Sequence, residues 1–350
     1  MIEMLNLLSE LVNRWDEKAE LLDILYEKLK EKGIETHIEG ESAPLLISHQ
    51  GNGEPSLCLY CHIDTSPPYA LSQPIYREEN GKAYGLGICD KASVVAILDV
   101  FLEMKDKIEK GSLDLIITSD SEEQGEELKR IFEKGYSPRW VIIGEPTNLS
   151  IVTQHPGILL LDIYCYGLSA PTAFPFSGIN SIWEMVDFLN ELKERLPFVL
   201  LGIKGGESIL RVPERCYSTL AIPLPSDKDA TWALRILDGV LKQPRWMDVS
   251  YHIRRIENPL KQEIFSPLAQ VAREMVRKVL GRERETAQPG WSEASRFQER
   301  GAEVIVFGAG EPSIAHSGEE FVIVEDIMLQ SRILKGIISS LLTSSSSPSI

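Results

Sequence analysis

The stretch PSLCLYCHID, residues 55–64, is an apolar run that stops on two polar residues, His62 and Asp64. A short apolar run without alternation reads as a strand buried on both faces, as at the centre of a parallel sheet. Four further runs share this character: PLLISH (44–49), LDLIITSD (113–120), WVIIGE (140–145) and AEVIVFG (302–308). Helical spacing separates them, over about 92–109 with Val95, Leu98, Phe101 and Leu102 on one face, and again near 126–133. Strands alternating with helices imply an α/β fold with a mixed, largely parallel sheet flanked by helices. Such sheets carry their sites at the carboxyl ends of the strands. A polar, Pro- and Gly-containing loop is expected over 65–84.

Working outward, the N-terminus repeats apolar residues at helical spacing: Met4, Leu8, Leu11 and Trp15, then Leu22, Leu25 and Leu29. One amphipathic helix, or two, should end at Gly33. From residue 157 to about 256 the pattern changes to strand (158–166), helix (179–195), strand (197–203), strand (215–224), helix (229–242) and strand (247–254). The order β-α-β-β-α-β is that of a ferredoxin-like α+β domain. The rest returns to α/β, with a helix over 265–280, the strand at 302–308 and a helix over 325–342. The expected plan is a catalytic domain from 1–156 and 257–342, interrupted by an inserted lid at 157–256. The last eight residues, 343–350 (TSSSSPSI), have the composition of a disordered tail.

A net charge of −16 argues against nucleic acid, whose binding relies on Lys and Arg, and against an anionic membrane surface. No apolar run nears the roughly 20 residues that cross a bilayer, and the N-terminus lacks a secretory pattern. Five scattered cysteines suit reduced thiols, so a cytoplasmic location is expected. Cys58-x-x-Cys61-His62 matches a haem-attachment string. Inside a strand, however, residues three apart point to opposite faces, and haem is rejected.

Polar residues collect at the predicted strand ends. His62 and Asp64 share a face, so the carboxylate can reach the second imidazole nitrogen and orient it. Asp90 follows the Gly85-x-Gly87 turn, and on its own reads as a helix N-cap. Glu122 and Glu123 are adjacent, so their side chains diverge; one can hold a metal while the other handles a proton. Glu145 ends a buried strand, where an acid is unusual without a partner. His316 lies in a loop beyond the strand at 302–308 and, alone, is a solvated histidine. Together they form the ligand set of a hydrolytic two-metal site, in which imidazole and carboxylate suit zinc, and also cobalt or manganese.

At these residues the chain resembles the two-metal aminoacylase and carboxypeptidase family. That family includes acetylornithine deacetylase, succinyl-diaminopimelate desuccinylase, acetyl-lysine deacetylase and glutamate carboxypeptidase. CHIDTSP is similar to its G-H-x-D-x-x-P, YGLGICD to its G-R-G-x-x-D and SEEQG to its D-E-E-x-G. GEPT is similar to its G-E-P, and AHSGEEF to its A-H-x-x-x-E. The resemblance implies an amidohydrolase acting on a small amino-acid-derived substrate with two divalent ions. One would be held by His62, Asp90 and Glu145, and the other by Asp90, Glu123 and His316. It further implies that Asp64 orients His62, that Glu122 is the general base and acid, and that a homodimer through the lid is one arrangement. An N-acyl-amino-acid deacylase is the leading expectation, with a dipeptidase or carboxypeptidase beside it. A catalytically weak relative that keeps its metals is the reading from another class.

Several positions depart from the family pattern. Pro171 stands where the lid carries an oxyanion-stabilising His, with Thr172 and Asn180 as nearby substitutes. Leu86 replaces the Arg of G-R-G, Glu293 the Asp of S-D-A, and Lys91-Ala92 the x-Lys after the bridging Asp. The lid's carboxylate-binding Arg is missing near Pro223, and Arg211 is the candidate replacement charge. The FGAGEP segment is not a dinucleotide loop, because Pro312 and the absent third glycine break that pattern. No G-x-S-x-G elbow supports a serine hydrolase.

Overall fold

The computed structural model describes residues 1–14, 16–40, 45–66, 75–206, 208–284 and 290–343. Trp15, residues 67–74 of the expected loop and residues 344–350 of the expected tail lie outside them. The chain divides into two compact units, Met1–Thr153 with Lys261–Ile350, and Gln154–Leu260.

The first unit is built on a six-stranded sheet, ordered Thr36–Glu39, Leu45–Asn52, Gly111–Thr118, Ser56–His62, Trp140–Ile143 and Glu303–Val306. The last four are mutually parallel; the first two add antiparallel at one edge. The strand Ser56–His62 lies between parallel neighbours and is buried at every residue, which explains its unbroken apolar run. Leu57, Leu59 and Cys61 join the core with Ile97, Phe101 and Ile337. On the other face, Tyr60 stacks edge-on against Phe297, which in turn meets Phe132.

The N-terminal pattern resolves into two helices, Ile2–Leu11 and Lys18–Glu31. The central helix, Ile88–Glu103, begins four residues before its expected start, so Asp90 lies inside its first turn and is not its cap. Glu320 supplies that cap, its carboxylate accepting hydrogen bonds from the amides of Gly87 and Cys89, both at 2.9 Å. Residues 65–84 are not loop throughout. Arg77–Glu79 and Lys82–Tyr84 pair antiparallel, and Lys82–Tyr84 pairs again with Phe321–Ile323.

The second unit is a four-stranded antiparallel sheet ordered Val199–Gly205, Arg215–Leu224, Gly157–Tyr166 and Val249–Glu257. In chain order this is 2-3-1-4, the ferredoxin-like arrangement. Leu159, Leu161, Ile163 and Cys165 alternate along one face and pack on Met185, Phe188, Leu192, Leu237 and Val240 of its two helices. Asn180 and Asp229 cap those helices, accepting from the amides of Ile182 and Trp232. All five cysteines are buried free thiols. Among the described residues no helix is long and apolar enough to cross a membrane.

Candidate metal centre

His62 is the last residue of the central strand, and its ring is 2% exposed. Its Nδ1 faces Asp64 Oδ1 at 3.2 Å and the Asp64 carbonyl at 3.1 Å, which leaves Nε2 facing Glu145 Oε1 at 3.2 Å. The next parallel strand, Trp140–Ile143, delivers Glu145 beside that ring. Asp64 is also tied to the neighbouring loop, accepting from the amides of Ser121 (3.2 Å) and Glu122 (2.7 Å). Burial opposes its ionisation, yet the His62 contact and the Glu122 amide hold its carboxyl below the usual range.

Two groups of ligand atoms result, with all atoms of each within 4.8 Å of one another: His62, Asp90 and Glu145, then Asp90, Glu122 and His316. Asp90 belongs to both. It is 2% exposed, and its Oδ2 has no hydrogen-bond partner. Burial pushes its carboxyl up to about 8, against the pull of His316 and His62. A buried carboxylate oxygen that no protein group satisfies, set between two imidazoles and two further acids, fits a shared divalent cation. Burial likewise raises the Glu122 carboxyl. For His62 and His316 burial works downward, but the surrounding carboxylates prevail and raise both.

The loop after Gly111–Thr118 departs from the expected roles. Glu123, expected to hold the second metal, is 62% exposed and turns away to pair with Lys18 Nζ at 2.7 Å. Glu122, expected to move protons, is the acid grouped with Asp90 and His316, 3.5 Å from His316 Nε2 and accepting from Ser66 Oγ at 3.3 Å. Adjacent side chains diverge as anticipated, with Glu122 turned toward Asp90 and His316 and Glu123 turned toward Lys18. Asp120 Oδ2 caps the helix Glu126–Glu133, accepting from the amides of Glu126 (2.7 Å) and Glu127 (3.3 Å).

His316 has a left-handed backbone, with φ of 59°, which costs a non-glycine residue on the order of 1 kcal/mol. Gly87 must also be glycine: its φ is 72°, and a Cβ there would meet Lys91 Nζ and Thr65 at 2.9 Å. Three contributors escaped the sequence reading. Glu320 fixes the turn before Asp90; the A-H-x-x-x-E spacing had contained it without a role. Ser66 supports Glu122, and Lys91 is fully buried, its ammonium pushed down by burial against the opposing pull of Asp90, Asp64, Glu320 and Glu122. Within the second unit, Asn180 is committed as a cap. Arg211 lines a cavity of about 300 Å³ with Arg215, Ser169 and Ser208.

The profile of peptidase family M20/M25/M40 matches residues 58–340. A Staphylococcus aureus protein named "Probable succinyl-diaminopimelate desuccinylase" is 23% identical, over 94% of this chain and 91% of its own length. Acetylornithine deacetylase from Myxococcus xanthus is 27% identical, over 79% of this chain and 78% of its own. Among solved structures, an M20 family metallo-carboxypeptidase from Sulfolobus solfataricus superposes with a TM-score of 0.78 at 17% identity. It covers 97% of this chain and 99% of its own, a likeness of fold. With strand ends that gather two imidazoles and three carboxylates, and a match running through all of them, the chain belongs to peptidase family M20/M25/M40 and is a metal-dependent amide hydrolase.

Proposed function

We propose that this chain cleaves the amide bond of an N-acyl amino acid, using two divalent cations held by His62, Asp90 and Glu145 and by Asp90, Glu122 and His316. The observation that carries the reading is Asp90, a buried carboxylate with one unsatisfied oxygen common to both ligand groups. Zinc is the ion best matched to imidazole with carboxylate, with cobalt or manganese as substitutes. When bound, such ions lower the pKa of water and polarise the scissile carbonyl. The protein's own part is to hold the ligands. Asp64 presents the Nε2 of His62, Glu320 anchors the turn before Asp90, and Ser66 steadies Glu122. Cleavage of a dipeptide or of a C-terminal residue is the neighbouring reading within the same chemistry. Free, buried thiols support a cytoplasmic setting.

The test combines metal analysis with turnover. Zinc- or cobalt-loaded protein should bind two ions per chain and hydrolyse at least one compound from a panel of acetyl- and succinyl-amino acids and dipeptides. Binding of a single ion, or no hydrolysis across the panel, would refute it.

A homodimer through the second unit belongs to the same proposal. The strand Val199–Gly205 is an edge strand exposed at all seven residues, with Val199, Leu200, Leu201 and Ile203 all at least 44% exposed. An unpaired apolar edge invites pairing with a second copy. Sedimentation should show a dimer that Leu201→Glu converts to monomer; a monomeric parent protein would rule this out.

A further inference from the structure

The segments that carry Asp90 and Glu145 meet at a third segment, the turn that follows Glu303–Val306. Gly308 in that turn is bonded twice to Thr147. Its amide donates to Thr147 Oγ1 at 3.0 Å, and its carbonyl accepts from the Thr147 amide at 3.2 Å. The Thr147 hydroxyl donates onward to the Ser150 carbonyl at 2.8 Å, fixing the loop that begins at Glu145. Gln330, a fully buried residue of the helix Val324–Leu342, holds the same turn from the other direction. Its Oε1 accepts from the Ala309 amide at 2.9 Å, and its Nε2 donates to Ser93 Oγ at 3.1 Å. Ser93 is buried, three residues after Asp90 and so on the same face of the helix Ile88–Glu103. Two glycines make room for it. A Cβ on Gly144 would meet Ser93 Cβ at 3.0 Å, and one on Gly308 would collide with Ser93 Oγ and with the Glu145 carbonyl.

We infer that Gln330, Ser93 and Thr147 form a clamp that sets the spacing of Asp90 and Glu145, and with it the affinity for the cation these acids share with His62. The inference rests on the two-metal reading. A buried amide is retained where its partners satisfy it, and here they lead to both ligand-bearing segments. Satisfied buried hydrogen bonds fix length and direction, whereas apolar contacts of the same volume leave segments free to slide. The three side chains act through Asp90 and Glu145, so they are positioning residues.

The experiment titrates zinc into metal-free wild type, S93A, Q330M, T147V and T147S in competition with a chromogenic chelator. It also records the visible spectrum of each protein loaded with cobalt. S93A, Q330M and T147V should each bind zinc about 10- to 100-fold more weakly than wild type, the usual effect of losing a hydrogen-bonded support of metal ligands. Their cobalt bands should shift as the ligand geometry changes. T147S keeps the hydroxyl and should return to wild-type affinity. V240A, which opens a cavity in the core of the second unit, should melt lower yet keep wild-type zinc affinity and cobalt bands. Wild-type affinity in S93A, Q330M and T147V overturns the clamp, as does an equal loss in V240A, which would make the effect one of general stability. S93A deletes a single hydroxyl and decides the matter if Q330M does not fold. A wild type that binds zinc and hydrolyses nothing fails the proposed function, while the affinities still judge the clamp. A wild type that binds no zinc overturns both.

Discussion

Replacing Asp90 by Asn should make the metal-free protein more stable and abolish its response to zinc. Burial raises the Asp90 carboxyl from 3.8 in the unfolded chain to about 8 in the fold. Because the folded value is the higher one, this group's contribution is fully favourable below its unfolded value and is lost as pH rises through about 8. At pH 7 nearly the whole interval above 3.8 has been crossed, and at about 1.4 kcal/mol per unit the penalty is on the order of 4 kcal/mol. Asn has the same shape and no charge, so D90N removes that penalty. At roughly 1 to 2 °C per kcal/mol for a chain of this length, the zinc-free melting temperature at pH 7 should rise on the order of 5 °C. Wild type should in turn gain about 3 kcal/mol from zinc at a hundredfold excess over Kd, while D90N, missing the ligand common to both groups, gains little. The assay is thermal unfolding of both proteins with chelator and with zinc. D90N melting below the metal-free wild type would show that Asp90 carries no such burial penalty, and D90N still rising with zinc would show that it is not the shared ligand.

Glu123→Gln removes only an exposed pair with Lys18, so zinc stoichiometry and kcat should match wild type, with a stability change within about 1 kcal/mol. Metal loss in that variant would return Glu123 to the ligand set. Glu127 is fully buried, accepts from the Ser119 amide (2.6 Å) and hydroxyl (2.7 Å), and is pushed up to about 8 by burial and by Asp120. Its folded value also exceeds the unfolded 4.5, so it should subtract a few kcal/mol of stability between pH 5 and pH 8. Urea unfolding of Glu127→Gln should show a flatter pH dependence than wild type; identical slopes would count against the assignment. Glu320→Ala should cost on the order of 1 to 2 kcal/mol as a lost helix cap and weaken zinc binding, read by calorimetry; unchanged zinc affinity would confine Glu320 to folding.

Much of this was readable because buried parallel strands leave a blunt signature. PSLCLYCHID has no solvent face to alternate with, and its polar ending marks where the sheet stops and the site begins. His62, Asp90, Glu145 and His316 were singled out because predicted strand ends converge, not because any one of them is distinctive alone, and the fold does bring them together. In the D-S-E-E loop, Glu122 and not Glu123 lies with Asp90 and His316, which the spacing to Gly125 does not reveal. Only the hydrogen bonds to Asp64 decide which of two adjacent acids turns inward. The small sheet at 77–84 was missed for another reason. Asn80-Gly81 is a strong hairpin signal, and both residues have positive φ (51° and 75°), but the flanking strands are three residues long and Arg77–Glu79 is wholly exposed. No apolar alternation marks such strands. Their partner, Phe321–Ile323, lies more than two hundred residues away.

Glu320 joins two ligand-bearing segments that are remote in sequence, the loop that carries His316 and the turn that opens the helix bearing Asp90. One carboxylate thus staples the two segments together within the chain, so a substitution that loosens either end would be felt at the other despite the long stretch of sequence between them.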